Sequence, residues 1–183
     1  MHGLGPPSDW VTRWAGLVPA GGSVLDLACG GGRHLRWFAA RGHPVCGVDR
    51  DAEALARIDL PAELIEADIE AGPWPLAGRT FDAVVVTNYL WRPLLPAIVA
   101  AVAPGGVLLY ETYAQGHQAL GKPSRPDFLL RPGELLQACS ALRVIGYEDG
   151  YLEPPARFVQ RIAACRAPAD EVPPARRRLP GPA

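Results

Sequence analysis

"LDLACGGGRHL" (residues 25–35) sets an aspartate, a cysteine and three consecutive glycines between an apolar run and the start of a helical pattern. Just before it, "SVLDLA" (residues 23–28) carries Val24, Leu25 and Leu27, an apolar run of the kind that forms a strand buried on both faces of a parallel sheet. Just after it, Leu35, Phe38 and Ala39 recur at i, i+3 and i+4 between Arg33 and Arg41, and Gly42 stands where a helix C-cap glycine sits. The stretch reads as strand, glycine loop, helix.

The same unit repeats outward. "PVCGVD" (residues 44–49) predicts a second strand, Asp51 is placed to cap a helix carrying Ala54, Leu55 and Ile58, and "AELIEAD" (residues 62–68) predicts a third strand. "FDAVVVT" (residues 81–87) predicts the fourth. Pro93 opens a helix with Leu94, Leu95, Ile98 and Val102 on its apolar face, "APGG" ends it, and "VLLYET" (residues 107–112) follows as the fifth strand. Residues 112–131 break the rhythm. They are too long and polar for a minimal connection, which makes them the candidate substrate-facing loop. After a short helix at residues 134–138, "LRVIGYEDG" and "ARFVQRIAAC" read as two antiparallel strands. The predicted fold class is α/β, with a single Rossmann-like, doubly wound, mostly parallel seven-stranded sheet and an antiparallel C-terminal hairpin. The domain is expected over residues 1–167. Residues 168–183 have little to bury and read as a disordered tail, with Arg176, Arg177 and Arg178 in solvent. Trp10, Trp14 and Leu17 form an i, i+4, i+7 stripe read as core packing, with a lid as the competing account.

Composition sets the class of protein. The 183 residues, 49% of them hydrophobic, suffice for one core and are few for two. A net charge of -1 gives no overall attraction to nucleic acid or an anionic membrane. Cys29, Cys46, Cys139 and Cys165 lie far apart without a C-x-x-C pair, so neither a disulfide framework nor a metal site is expected. The first residues lack a basic and an apolar signal region, and no stretch reaches the ~20 apolar residues of a membrane span. The expectation is a cytoplasmic protein; composition sets no oligomeric state.

A helix N-terminus at the carboxyl edge of a parallel sheet offers free N–H groups, and glycines admit a ligand close to the backbone. A tight turn holding nothing is the competing account. Spacing narrows the choice among ligands. A dinucleotide fingerprint starting at Gly30 matches Gly32 but fails at Leu35, and no lysine follows for a phosphate loop.

The run Asp26-Leu27-Ala28-Cys29-Gly30-Gly31-Gly32 resembles the first motif of class I S-adenosylmethionine-dependent methyltransferases, D/E-x-G-x-G-x-G, with Ala28 in place of the first glycine. Asp49 ends the second strand, where a carboxylate can accept from both ribose hydroxyls, and "EADIE" places Asp68 and Ile69 after the third. "GRHLRWFAARGHPVCGVD" also resembles the compact branch that includes tellurite-resistance methyltransferases. The resemblance implies a methyltransferase domain that takes S-adenosyl-L-methionine. Gly30, Gly31 and Gly32 with Ala28 would line its methionine end, Asp26 would organise the loop and the ammonium contacts, Asp49 with Arg50 would hold the ribose, and Asp68 and Ile69 the adenine; Asn88 joins this set.

Methyl transfer from a sulfonium is an in-line displacement in which positioning and exclusion of water supply much of the rate. Glu111 and Tyr113 are the expected catalytic pair, and Tyr89, Trp91, Arg92, Lys122 and Arg125 the expected substrate contacts, the cations suiting an oxyanion. His117 stays outside this set as an exposed loop residue. "NYLW" lacks the prolines of the [DNS]-P-P-[YFW] motif of amino-directed nucleic-acid methyltransferases, which favours a small-molecule acceptor. RNA or protein methylation, a non-catalytic cofactor-binding protein and a nucleotide-binding oxidoreductase are the alternatives.

Overall fold

The computed structural model describes residues 5–168 and 176–181. Strands β1 (Val24–Leu27), β2 (Val45–Asp49), β3 (Glu63–Glu66), β4 (Phe81–Thr87), β5 (Val102–Tyr113), β6 (Arg143–Leu152) and β7 (Arg157–Cys165) form one sheet in the order β3-β2-β1-β4-β5-β7-β6. The first five are parallel, and β7 runs antiparallel to both β5 and β6. This is the expected fold class.

Alternation along the strands sorts side chains between two helical layers. Val24 on β1, Val85 on β4 and Leu109 on β5 face helices α1 (Asp9–Trp14), α2 (Arg33–Ala39) and α3 (Ala52–Ala56), meeting Trp10, Phe38 and Leu55. Leu25, Val84 and Leu108 face α4 (Leu95–Ala100) and α5 (Glu134–Ala138), meeting Ile98 and Leu135. Central β1 is buried at all four positions, whereas edge strand β3 is exposed at Glu63 and Glu66. That difference explains the continuous apolar run in the first and its absence in the second.

The stripe near the N-terminus is core. Trp10 and Trp14 are buried, and the Trp10 indole donates to the Ile162 carbonyl at 3.1 Å. A Cβ on Gly146 would collide with the Trp14 ring, so only glycine lets α1 lie this close to β6.

Three expectations are corrected. Val102 does not belong to the α4 face; it begins β5 and pairs with Phe81. "APGG" therefore lies inside the strand as an irregularity, where Gly105 N–H donates to the Arg166 carbonyl at 2.7 Å. The third strand is shorter than "AELIEAD", covering Glu63–Glu66. The stretch 112–131 is more ordered than a plain loop: Thr112 and Tyr113 finish β5, Ala114 bridges to Leu130, and short 3-10 turns occupy His117–Ala119 and Pro126–Phe128. Of the expected tail, residues 169–175 and 182–183 lie outside the described residues; Arg178, Leu179 and Pro180 border a small cleft with Arg13, Trp14 and Leu17. Among the described residues, no helix is long and apolar enough to cross a membrane.

Candidate cofactor and acceptor site

The sheet order reverses between β1 and β4, and there the helices leave on opposite faces and open a crevice at the carboxyl ends of the strands. The glycine loop borders this crevice. Ala28, Gly30 and Gly32 have φ of 53°, 51° and 74°, so the chain turns through three left-handed positions within five residues. Glycine takes this conformation freely, while an L-alanine pays about 1 kcal/mol for it. Ala28 therefore sits under strain at the position where the motif has its first glycine. The loop is pinned from both sides: Asp49 Oδ2 accepts from Gly30 N–H at 2.7 Å, Cys29 N–H donates to the Val48 carbonyl at 3.1 Å, and the Arg36 guanidinium reaches the Gly31 carbonyl.

A cleft of about 420 Å³ opens beside the loop. Ala28, Gly30, Asp49 and Arg50 line it together with Asp68, Ile69 and Asn88. Its size lies within the roughly 300–1,000 Å³ of small-ligand pockets. Asp49 Oδ1 also accepts from Asp51 N–H at 2.9 Å, which fixes the carboxylate's orientation. Asp68 Oδ1 accepts from Glu70 and Ala71 N–H groups, and these backbone bonds hold its carboxyl below the usual range. Asp26, Gly31 and Gly32 do not line the cleft; they are buried behind it. Asp26 is 1% exposed and its Oδ2 has no hydrogen-bond partner. An uncompensated buried carboxylate is costly unless a cation or donor comes to it.

A second cleft, about 540 Å³, shares Glu70, Asn88 and Tyr89 with the first. Tyr113, Lys122 and Arg125 line it, along with Leu90, Thr112 and Phe128. The Tyr89 hydroxyl is buried without a partner, and burial pushes its pKa up. Tyr113 stacks on His117 with ring centroids 4.3 Å apart, and His117 Nε2 lies 3.1 Å from the Lys122 carbonyl. His117 is thus buried behind the cleft instead of exposed on a loop. Arg125 is exposed and paired with Asp127 at 2.9 Å.

Arg92, Trp91 and Glu111 do not join this cleft. The Arg92 guanidinium is spent on both Glu134 oxygens at 2.6 and 2.9 Å and on the carbonyls of Asp127 and Leu129, so it holds the loop down instead of facing a substrate. Trp91 is partly buried and lines neither cleft. Glu111 is 1% exposed; it accepts from Ser8 Oγ at 3.0 Å and lies 3.5 and 3.4 Å from the guanidiniums of Arg157 and Arg161. Its oxygens are occupied by structure. The residues that sequence reading missed are Glu70 and Thr87 in the first cleft, and Ser8 and His34 behind it. Thr87 is polar at the end of an apolar strand, a legible signal; the other three carry none. Among the described residues, no group of three or more His, Cys, Asp or Glu is placed to hold a metal ion.

Two adjoining clefts thus lie at the carboxyl edge of a doubly wound sheet, where folds of this kind take their ligands. Residues 24–106 match the sequence model of the methyltransferase-domain family. The chain is 41% identical over 102 residues to a trans-aconitate 2-methyltransferase of Paracidovorax citrulli, which covers 50% of this chain and 38% of the relative. It is 34% identical over 132 residues to a ubiquinone biosynthesis O-methyltransferase of Aromatoleum aromaticum, covering 65% of this chain and 55% of the relative. It thus spans only part of the length of these curated relatives. The crystal structure of TehB from Haemophilus influenzae superposes with a TM-score of 0.68 at 21% identity over 86% of this chain and 61% of that one, a likeness of fold. Over these stretches the chain is similar to methyltransferase domains, and its fold is like that of TehB.

Proposed function

We propose that the chain binds S-adenosyl-L-methionine in the first cleft and transfers its methyl group to a small molecule held in the second. The observation that carries this reading is the junction of the clefts: Glu70, Asn88 and Tyr89 border both, so ligands in the two share a wall. The residues present suit the cofactor. Asp49 offers a fixed carboxylate to hydroxyl groups, Asp68 and Ile69 flank the position expected for the adenine, and the Asp26 carboxylate buried behind the loop suits an ammonium group.

When bound, this cofactor supplies a methyl group on a positively charged sulfur. The chain orients it through Asp49 and the loop, places Tyr89 where the two clefts meet, and offers the acceptor the faces of Tyr113 and Phe128 with the Lys122 ammonium and Arg125 guanidinium near the opening. Residues 1–167 serve as the domain. The names of the two relatives, which concern trans-aconitate and ubiquinone biosynthesis, support a small acceptor. Calorimetry with S-adenosylmethionine and S-adenosylhomocysteine tests the cofactor half, and both should bind. Isotopically methyl-labelled cofactor incubated with metabolite extracts and read by mass spectrometry tests the acceptor half. A folded protein that binds neither nucleoside overturns the reading, and label appearing only in RNA or protein overturns the small acceptor.

A further inference from the structure

Behind the glycine loop runs a chain of buried polar groups that neither cleft accounts for. Ser8 N–H donates to His34 Nε2 at 3.2 Å, and His34 Nδ1 lies 3.5 Å from Asp26 Oδ2. A backbone N–H can only donate, so Nε2 must be the bare nitrogen, which puts the proton of the neutral ring on Nδ1, facing Asp26. His34 and Asp26 are 2% and 1% exposed, so this polarity is not screened by water.

Residues 6–8 are stitched to three neighbouring strand ends. The His34–Asp26 contact ties them to β1. Arg33 donates to the Pro6 carbonyl at 3.3 Å and to Thr87 Oγ1 on β4 at 3.2 Å. Ser8 Oγ donates to Glu111 on β5 at 3.0 Å while accepting from Trp10 N–H, which also caps α1. Glu111 is in turn held between Arg157 and Arg161, and Arg161 continues to Glu148, which pairs with Arg13 of α1 at 2.9 Å. The network thus closes on the helix that Ser8 caps. A carboxylate left with a free oxygen needs its direction fixed if that oxygen is to meet a cation, and this assembly is what fixes it.

We infer that Ser8 and His34 are positioning residues for the amino-acid end of the cofactor: the segment 6–8 selects the His34 tautomer whose Nδ1–H faces Asp26 Oδ2 and so fixes the direction of the Asp26 carboxylate, leaving its other oxygen for the ligand's ammonium group. The inference rests on the cofactor reading above. It assigns the segment before α1 to the binding site, although neither residue touches the cleft.

The test compares two ligands, S-adenosylhomocysteine and 5′-methylthioadenosine, which share adenine and ribose but differ in the amino-acid end. Ser8 has φ of -61°, a value proline shares, so Ser8→Pro removes the N–H and hydroxyl without a new backbone angle, while Ser8→Ala removes the hydroxyl alone. Calorimetry on Ser8→Pro and His34→Phe should show S-adenosylhomocysteine bound roughly tenfold more weakly, with Ser8→Ala losing less, about twofold to threefold. Affinity for 5′-methylthioadenosine should stay within about twofold in all three. His34→Asn, which keeps a donor near the Nδ1 position, should recover part of the loss. Equal losses for both ligands, or unchanged S-adenosylhomocysteine affinity in Ser8→Pro, overturn the inference. If His34→Phe does not fold, the two Ser8 variants decide alone. A folded parent that binds neither ligand removes the cofactor reading itself, and this inference with it.

Discussion

The two clefts meet at Glu70, Asn88 and Tyr89, yet they are built by different means. The first is made from strand ends: Ala28 follows β1, Asp49 ends β2, Asp68 lies just after β3, and Asn88 follows β4. Parallel register alone brings these positions to one edge. The second draws Tyr89 and Leu90 from the same edge but takes Lys122, Arg125 and Phe128 from a stretch placed by the Ala114–Leu130 bridge, the His117 stack on Tyr113 and the Arg92 clamp on Glu134. The first cleft depends on backbone topology and the second on side-chain packing. The difference teaches that a substitution near one cleft should leave the other measurably intact, and that the residues supporting the second cleft are not the ones lining it.

The sharpest break comes from Asp49→Ala. The change removes the tether to Gly30 together with the acceptor proposed for the ribose, so affinity for S-adenosylhomocysteine should fall roughly tenfold to hundredfold, equivalent to about 1.5–3 kcal/mol. Calorimetry measures this, and unchanged affinity would return Asp49 to a purely structural role.

Arg92→Ala should instead act on stability. It strands the largely buried Glu134 and frees two loop carbonyls, and chemical denaturation should show a loss of about 2 kcal/mol. Cofactor affinity at a temperature where the variant is folded should not move. An unaltered denaturation midpoint combined with lost turnover would place Arg92 at the substrate after all.

Once an acceptor is known, Lys122→Ala and Tyr113→Phe should each lower kcat/KM by roughly threefold to tenfold, or about 1 kcal/mol, with cofactor affinity constant. Parallel losses in both quantities would mean that the clefts are not separable. The smallest effect belongs to Ala28→Gly, which relieves the left-handed alanine at some cost in unfolded-chain entropy. Thermal unfolding should show a gain of up to about 1 kcal/mol. A decrease would show that the Ala28 methyl packs usefully against something worth more than its strain.

Acid stability bears on the clamp. Burial alone would raise the Glu134 carboxyl, but the Arg92 hydrogen bonds and the Arg131 N–H outweigh it and hold the pKa below the usual range. Protonation is therefore harder in the folded than in the unfolded state. Its stabilising contribution is present in full above the unfolded value of about 4.3 and is lost as pH falls through the lower folded value. Glu134→Gln should flatten that part of the stability profile measured by denaturation across acid pH.

Sequence by itself determined the sheet and the loop, because the run from Val24 to Leu27, the glycines and the aspartates near successive strand ends follow from local chemistry: apolar strands, permissive backbone and carboxylates at an edge. The β1–loop–α2 unit and most strand bounds were legible for that reason. It misread Val102, since an apolar residue just after a helix fits the helical period as well as the next strand, and only pairing with Phe81 decides. It could not tell which charges near the edge face a ligand. Read along the chain, Arg92 and Glu111 are edge charges as available as Arg125, but partners 42 positions away at Glu134, and 46 and 50 away at Arg157 and Arg161, take up both. The link from Ser8 to His34 spans 26 residues and the one from Ser8 to Glu111 spans 103. Such contacts have no local signature. They exist because the β1–β4–β5 edge folds under the segment before α1, and that arrangement belongs to the tertiary structure alone.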